Sequence, residues 1–166
     1  MGSPKTKFAY NVAAIQLLKQ IEADERQATP EEQEILANYV GWGGIPQAFD
    51  RENADWAQEY VQLRTLLTSE EYAAARASTL NAHYTSPVVI QAMYSALEQM
   101  GFRNGNVLEP ACGIGNFFGM LPERMQGSRL YGVKLDSITG RIARQLYPNA
   151  HIDIKGFEQT DRRGFF

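Results

Sequence analysis

The residues best suited to chemistry lie in "LEPACGIGNFFG", Leu108 to Gly119, where an acid ends a short apolar run and glycines follow it. Glu109 is an acceptor with negative charge, so it suits a ligand carrying an amino or cationic group. Gly113 and Gly115 let a backbone come close to such a ligand. A helix from Asn116 onward would turn its N-terminus toward any negative ligand group. The spacing is not the dinucleotide fingerprint, because the third glycine of G-x-G-x-x-G is replaced by Phe118, and it is not a phosphate-binding loop, because no Gly-Lys-Ser/Thr follows. A tight strand-to-helix turn without a ligand is the competing reading of the same glycines. Further along, "LYGVKLD" (Leu130 to Asp136) ends an apolar run with Lys134 and Asp136, one offering only donors and the other only acceptors.

Several chemistries are excluded. One cysteine, Cys112, allows no internal disulfide framework and no thiolate metal cluster, and two histidines give no zinc spacing. No metal site is expected. Cys112 has no adjacent base to activate it and reads as a small buried filler. No apolar run approaches the roughly 18 residues that would span a bilayer, and "MGSPKTKFAYN" lacks the apolar core of a signal peptide. A cytoplasmic protein without membrane contact is the expectation. The net charge of −3 argues against a general nucleic-acid binder, so DNA binding by this chain alone is not expected.

Residues 1–80 read as helical. Phe8, Val12, Ile15, Leu18 and Ile21 recur at helical spacing and predict an amphipathic helix over about 8–23. Thr29-Pro30-Glu31-Glu32 is a helix start with a capping box, and Ile35, Leu36, Tyr39 and Val40 would form its buried stripe. "GWGG", Gly41 to Gly44, would stop it. Trp56, Tyr60, Leu63 and Leu67 mark a third helix, and Thr68-Ser69-Glu70-Glu71 starts a fourth. The charged residues of this half read as solvated faces.

Residues 81–166 change character. Ser86-Pro87 opens a helix carrying Val89, Met93, Leu97 and Met100, ended by Gly101. Strands follow at Asn106 to Glu109, Arg129 to Val133 and Ala150 to Ile154, with helices between them. Strand–helix alternation predicts an α/β fold with a parallel sheet and right-handed crossovers. Ligands in such sheets bind beyond the carboxyl ends of the strands. The candidate positions are Glu109 to Gly115, Lys134 to Asp136 and Gly156 to Glu158.

With "HYTSP" (His83 to Pro87) one helix upstream of the glycine turn, the sequence resembles the adenine-N6 DNA methyltransferases, which use S-adenosylmethionine. More closely, it is similar to the N-terminal segment of the methylase–helicase proteins of bacterial phages and conjugative elements. The blocks that carry this are "ATPEEQEILANYVGWGG", "STLNAHYTSP", "LEPACGIGNFFGMLP" and "LDSITGRIARQLYP". The resemblance implies an N-terminal helical region followed by part of a Rossmann-like methyltransferase domain. It implies that Glu109 and Pro110 belong to the cofactor-binding set, with Glu109 accepting from the methionine amino group of S-adenosylmethionine. Gly113 and Gly115 would pack under the cofactor, and Tyr84 and Thr85 would lie by its methionine end. Glu158 would accept from the adenine amino group, with Asp153 and Asp161 as alternatives. His83 and Tyr84 read equally well as packed loop residues, and Glu158 as a surface acid.

Two departures weaken the enzyme reading. The family pattern G-V-E-x-D stands here as Gly132-Val133-Lys134-Leu135-Asp136, so the acid that would hold the ribose hydroxyls is a lysine. Losing that pair of charge-assisted hydrogen bonds would cost about 2–4 kcal/mol of cofactor affinity, and Asp136 is the residue able to replace part of it. The family's N/D-P-P-Y/F motif, which holds the target base, has no counterpart among the seven prolines. No catalytic residue is therefore assigned, and this chain on its own is not expected to methylate DNA. Without a fourth strand the first strand would keep an unpaired edge, to be covered by the N-terminal helices, by self-association or by a partner's strand. Three readings follow: the cofactor-binding part of a methyltransferase-like protein, a non-catalytic module that inhibits or decoys a host defence complex, or a remnant without activity.

Overall fold

The computed structural model describes residues 2–80, 84–161 and 164. His83, together with most of "DRRGFF", lies outside the described residues. The chain divides into two compact units, the second beginning at Tyr84.

The first unit is helical. Helix α1 (Pro4–Ala23) starts where the Ser3 hydroxyl accepts from the Thr6 amide and Pro4 takes the first helical position. Its stripe of Phe8, Val12, Ile15, Leu18 and Ile21 is buried, as the spacing predicts. A polar residue shares that buried face: Asn11 is fully enclosed. Its amide donates to the Gly41 carbonyl at 2.6 Å and accepts from the Val40 amide at 2.9 Å. Two backbone groups that would otherwise be orphaned are thereby satisfied.

Helix α2 (Pro30–Ala37) has the expected capping box between Thr29 and Glu32. It stops at Ala37, before the glycines that were expected to end it. Leu36 and Tyr39 are buried, whereas Ile35 is 43% exposed and Val40 37% exposed. The expected four-residue stripe fails because the helix is only two turns long and the Val40–Gly41 backbone is held by Asn11 instead of continuing the helical ladder. The glycines serve the next turn: Gly41 and Gly44 have φ of 68° and 78° and flank Trp42, whose indole packs edge-on with Phe8, Tyr39 and Phe49. Helices α3 (Ala57–Leu66) and α4 (Ser69–Ser78) complete the unit. The α4 capping box joins Thr68 and Glu71, and the buried Glu71 carboxylate also takes the Lys19 ammonium at 2.8 Å.

The second unit is the expected α/β fold, a truncated Rossmann-like half-domain. After α5 (Pro87–Gln99), strands β1 (Asn106–Glu109), β2 (Arg129–Lys134) and β3 (His151–Ile154) form a parallel sheet in the order β1-β2-β3. Glu109 stands opposite Gly132, and Lys134 opposite Ile154. Short helix α6 (Asn116–Gly119) follows β1, and α7 (Ser137–Leu146) follows β2. Arg144 of α7 donates twice to the Ile152 carbonyl, at 2.6 and 3.0 Å, fastening the helix to β3.

Helix α5 forms where Ser86-Pro87 and Gly101 place it, and packing decides which of its faces is buried. Ile90 and Tyr94 are its buried residues, packed with Met125 and with partly buried Phe102, Phe117, Met120 and Leu121. Val89, Met93, Leu97 and Met100 lie outside, 37–82% exposed. Two apolar stripes at helical spacing run along this helix, and periodicity alone does not say which faces inward.

Candidate functional site

The candidate residues collect at the carboxyl ends of β1 and β2. Glu109 closes β1 half-buried, with one carboxylate oxygen accepting from the Ala111 amide at 3.1 Å. Pro110 is exposed in the turn that follows. The Tyr94 hydroxyl donates to the Phe117 carbonyl at 2.6 Å. Burial, and to a smaller extent the Glu109 carboxylate, pushes that hydroxyl up to about 12.

Cys112 is buried, and burial pushes its thiol up to about 11. Lys134 pulls the thiol down and Glu109 pushes it up, which places both charges near the sulfur. A protonated thiol in this setting is a packing group rather than a nucleophile.

The two glycines of the turn have different neighbours. Gly113 (φ 55°) faces the Tyr84 ring, which would stand 3.7 Å from a side chain at that position. Gly115 (φ 94°) is packed from within: the space its side chain would take is filled by Tyr147 and Phe118. Gly119 likewise makes room for the Tyr147 hydroxyl. Tyr147 thus explains two of the glycines as close packing. Helix α6 has only four residues, too few to present the N-terminal dipole expected of a full helix.

Asp136 has two separate roles. Its Oδ2 caps α7, accepting from the Thr139 amide at 3.1 Å and from the Thr139 hydroxyl. Its Oδ1 is buried without a hydrogen-bond partner. Such an atom is costly unless something donates to it. Tyr84 lies close enough for the Asp136 charge to act on it. Burial first, then Asp136, pushes the Tyr84 hydroxyl up to about 12, although 45% of the residue remains exposed. Tyr84, Gly113 and Asp136 therefore share one corner, and Glu109, Cys112 and Lys134 the adjacent one. Lys134 is half-buried and makes no ion pair among the described residues.

Thr85 is exposed just before α5. Glu158 is exposed in a 3-10 turn (Phe157–Gln159) after β3, its carboxylate folded back against Gly156. Asp153, the alternative to it, lies 3.9 Å from Lys155. No group of three or more potential metal ligands occurs among the described residues, and no described helix is long and apolar enough to cross a membrane.

No protein-family model matches this chain, and no solved structure matches it. It is similar to the defense against restriction protein B of Escherichia phage P1, with 26% identity over 149 residues. The match covers 90% of this chain and 5% of the phage protein.

Proposed function

We propose that this chain is a protein-contact module of a mobile element, directed against a host restriction endonuclease and acting without catalysis of its own. The observation that carries this reading is the similarity to a phage protein of defense against restriction along 90% of the chain. Because the chain corresponds to only 5% of that protein, its share in the larger activity is part of the proposal. Two features of the α/β unit support contact as the mode of action. Val89, Met93, Leu97 and Met100 expose an apolar row on α5, of the kind that marks interaction sites. Strand β1 pairs only with β2 among the described residues, so no further strand lies along its other edge there. The occupant we assign to the α5 row is a subunit of the endonuclease. Adding the purified chain to an endonuclease cleaving unmodified DNA, with no free S-adenosylmethionine beyond what the endonuclease needs, is expected to slow cleavage. Unchanged cleavage at saturating chain would reject the reading.

A second reading, cofactor binding, is favoured by the buried and unpartnered Asp136 Oδ1. A ribose hydroxyl would satisfy that atom, and Glu109 would accept from the methionine amino group. Tyr84 over Gly113 would border the same corner. Lys134 opposes the fit, adding a cation beside a cationic cofactor. Titration calorimetry is expected to give weak S-adenosylmethionine binding that Lys134→Glu strengthens about 30- to 1000-fold. No heat from either protein would remove this reading. Self-association along the outer edge of β1 is a third reading, and sedimentation velocity showing only monomer would dismiss it.

A further inference from the structure

The helical unit is acidic, yet three of its four basic residues that form no ion pair among the described residues collect in one place. Lys5 pairs with Glu59, Lys19 with Glu71, and Arg26 with Glu32 and Asp24. Of the unit's remaining basic residues, Lys7 sits on α1, and the other three are Arg51, Arg64 and Arg76. All three arginines line a single open cleft of about 600 Å³, and none has a carboxylate within ion-pairing distance among the described residues.

Three segments build this cleft. Arg51 comes from the turn after the 3-10 segment Pro46–Phe49, Arg64 from α3 and Arg76 from α4. The guanidinium of Arg64 lies over the Tyr72 ring, 4.6 Å from its centre. Burial and the neighbouring Tyr60 raise the Tyr72 hydroxyl, while Arg64 and Arg76 both act against that rise, which places both cations beside it. Asp50 also lines the cleft, but one of its carboxylate oxygens already accepts from the Glu52 amide at 3.0 Å. A second lobe shares Arg64, Tyr72 and Arg76 and continues past Ala73 and Ala77 to Leu80, which is 80% exposed.

We infer that this cleft binds a nucleoside phosphate, free or as part of a single strand. Planar guanidinium forks match phosphate oxygens, and arginine is preferred over lysine where such matching is needed. A guanidinium laid on an aromatic ring, with apolar surface beyond it, provides the stacking platform that bases use. A ligand of nucleotide size fits a cleft of this volume. The low net charge that argues against general DNA binding describes the whole chain, whereas these cations act within one Debye length.

The test uses the full chain and a fluorescent oligothymidylate of about ten nucleotides, followed by anisotropy at low salt. Adenosine monophosphate, inorganic phosphate and an oligoglutamate peptide serve as competitors. The strand or the mononucleotide is expected to bind, with affinity falling as salt rises. Arg51→Ala with Arg76→Ala should weaken binding at least about tenfold, because each arginine would supply a charge-assisted hydrogen bond to phosphate. Both side chains are exposed, so the fold should survive their truncation, and circular dichroism checks that it does. Arg64→Lys tests the planar fork separately and should weaken binding while keeping the charge. Competition by adenosine monophosphate identifies a free nucleotide, and competition by the strand alone identifies a nucleic-acid strand. The inference is overturned if neither binds, if the double variant binds like the parent, or if oligoglutamate competes better than both.

Discussion

The helical unit scatters its few exposed apolar side chains over several segments, while the α/β unit gathers most of its own on one helix. Among the described residues, eight of the twelve largest fully buried side chains belong to the first unit, among them Trp42, Tyr39, Ile15 and Leu63. Ile90, Met125, Ile138 and Ile142 are the α/β unit's share. Its exposed residues concentrate on one helix, where Val88 and Met100 are 73% and 82% exposed. The aromatic contacts around Trp42 give the first unit a closed core of its own. The second has a three-stranded sheet with small clusters against it. That contrast suggests a division of labour, with one unit built for stability and the other for contact.

The largest effect expected is at the centre of the closed core. Trp42→Ala should destabilise the chain by about 3–5 kcal/mol, whereas Met93→Ala on the exposed row should stay within about 0.5 kcal/mol. Urea denaturation of both variants measures the contrast, and equal losses would erase it.

A smaller but sharper test concerns the glycine turn. Gly119→Ala should cost about 1–3 kcal/mol through collision with the Tyr147 hydroxyl, and Tyr147→Phe in the same chain should recover much of it. Gly115→Ala should resist that rescue, because the ring itself fills the space and φ is 94°. Thermal unfolding of the two double variants distinguishes them. Failure of Tyr147→Phe to rescue Gly119→Ala would mean that the Tyr147 hydroxyl is not the close neighbour described.

Next come the two capping boxes. Thr29→Ala and Thr68→Ala should each cost about 0.5–2 kcal/mol, the second more than the first, because Glu71 is buried and holds Lys19 while the Thr29 box lies at the surface. Denaturant midpoints of the pair check the order.

The smallest effect is electrostatic. The Arg26 guanidinium holds the Glu32 carboxyl down at about 2, from an ordinary value of 4.5. A depressed carboxylate contributes stability above its unfolded value, and that contribution fades between about pH 4.5 and pH 2. Arg26→Ala should return the Glu32 midpoint toward 4.5 in a carboxyl NMR titration. An unmoved midpoint would show that the Thr29 amide, rather than Arg26, dominates.

Much of this architecture is legible in the sequence because local chemistry decides it. Thr29 and Thr68 cap as their spacing predicts, the stripe from Phe8 to Ile21 is buried, and the strand–helix order gives a parallel sheet. The departures occur where distant contacts decide. Asn11 ends the path of α2 through a contact about thirty residues away, which no local pattern encodes, although an asparagine inside an apolar stripe is a usable signal. On α5 the buried choice between Ile90–Tyr94 and Val89–Met93 depends on Met125 and Phe117, which arrive later in the chain. At the site, acids and glycines are visible in sequence, but the occupation of the Gly115 space by Tyr147 is not. The arginine cleft is hidden in the sequence for the same reason: Arg51, Arg64 and Arg76 lie in three separate segments, and a reading of solvated charge suits each one singly.

The most direct test of the central claim compares two variants in one cleavage assay. With a restriction endonuclease acting on unmodified DNA, the parent chain should slow cleavage, Met93→Lys should abolish the effect, and Glu109→Ala should leave it intact. Loss of the effect in Glu109→Ala with its retention in Met93→Lys would contradict the claim, because the glycine-turn corner around Glu109, rather than the apolar row of α5, would then carry the function.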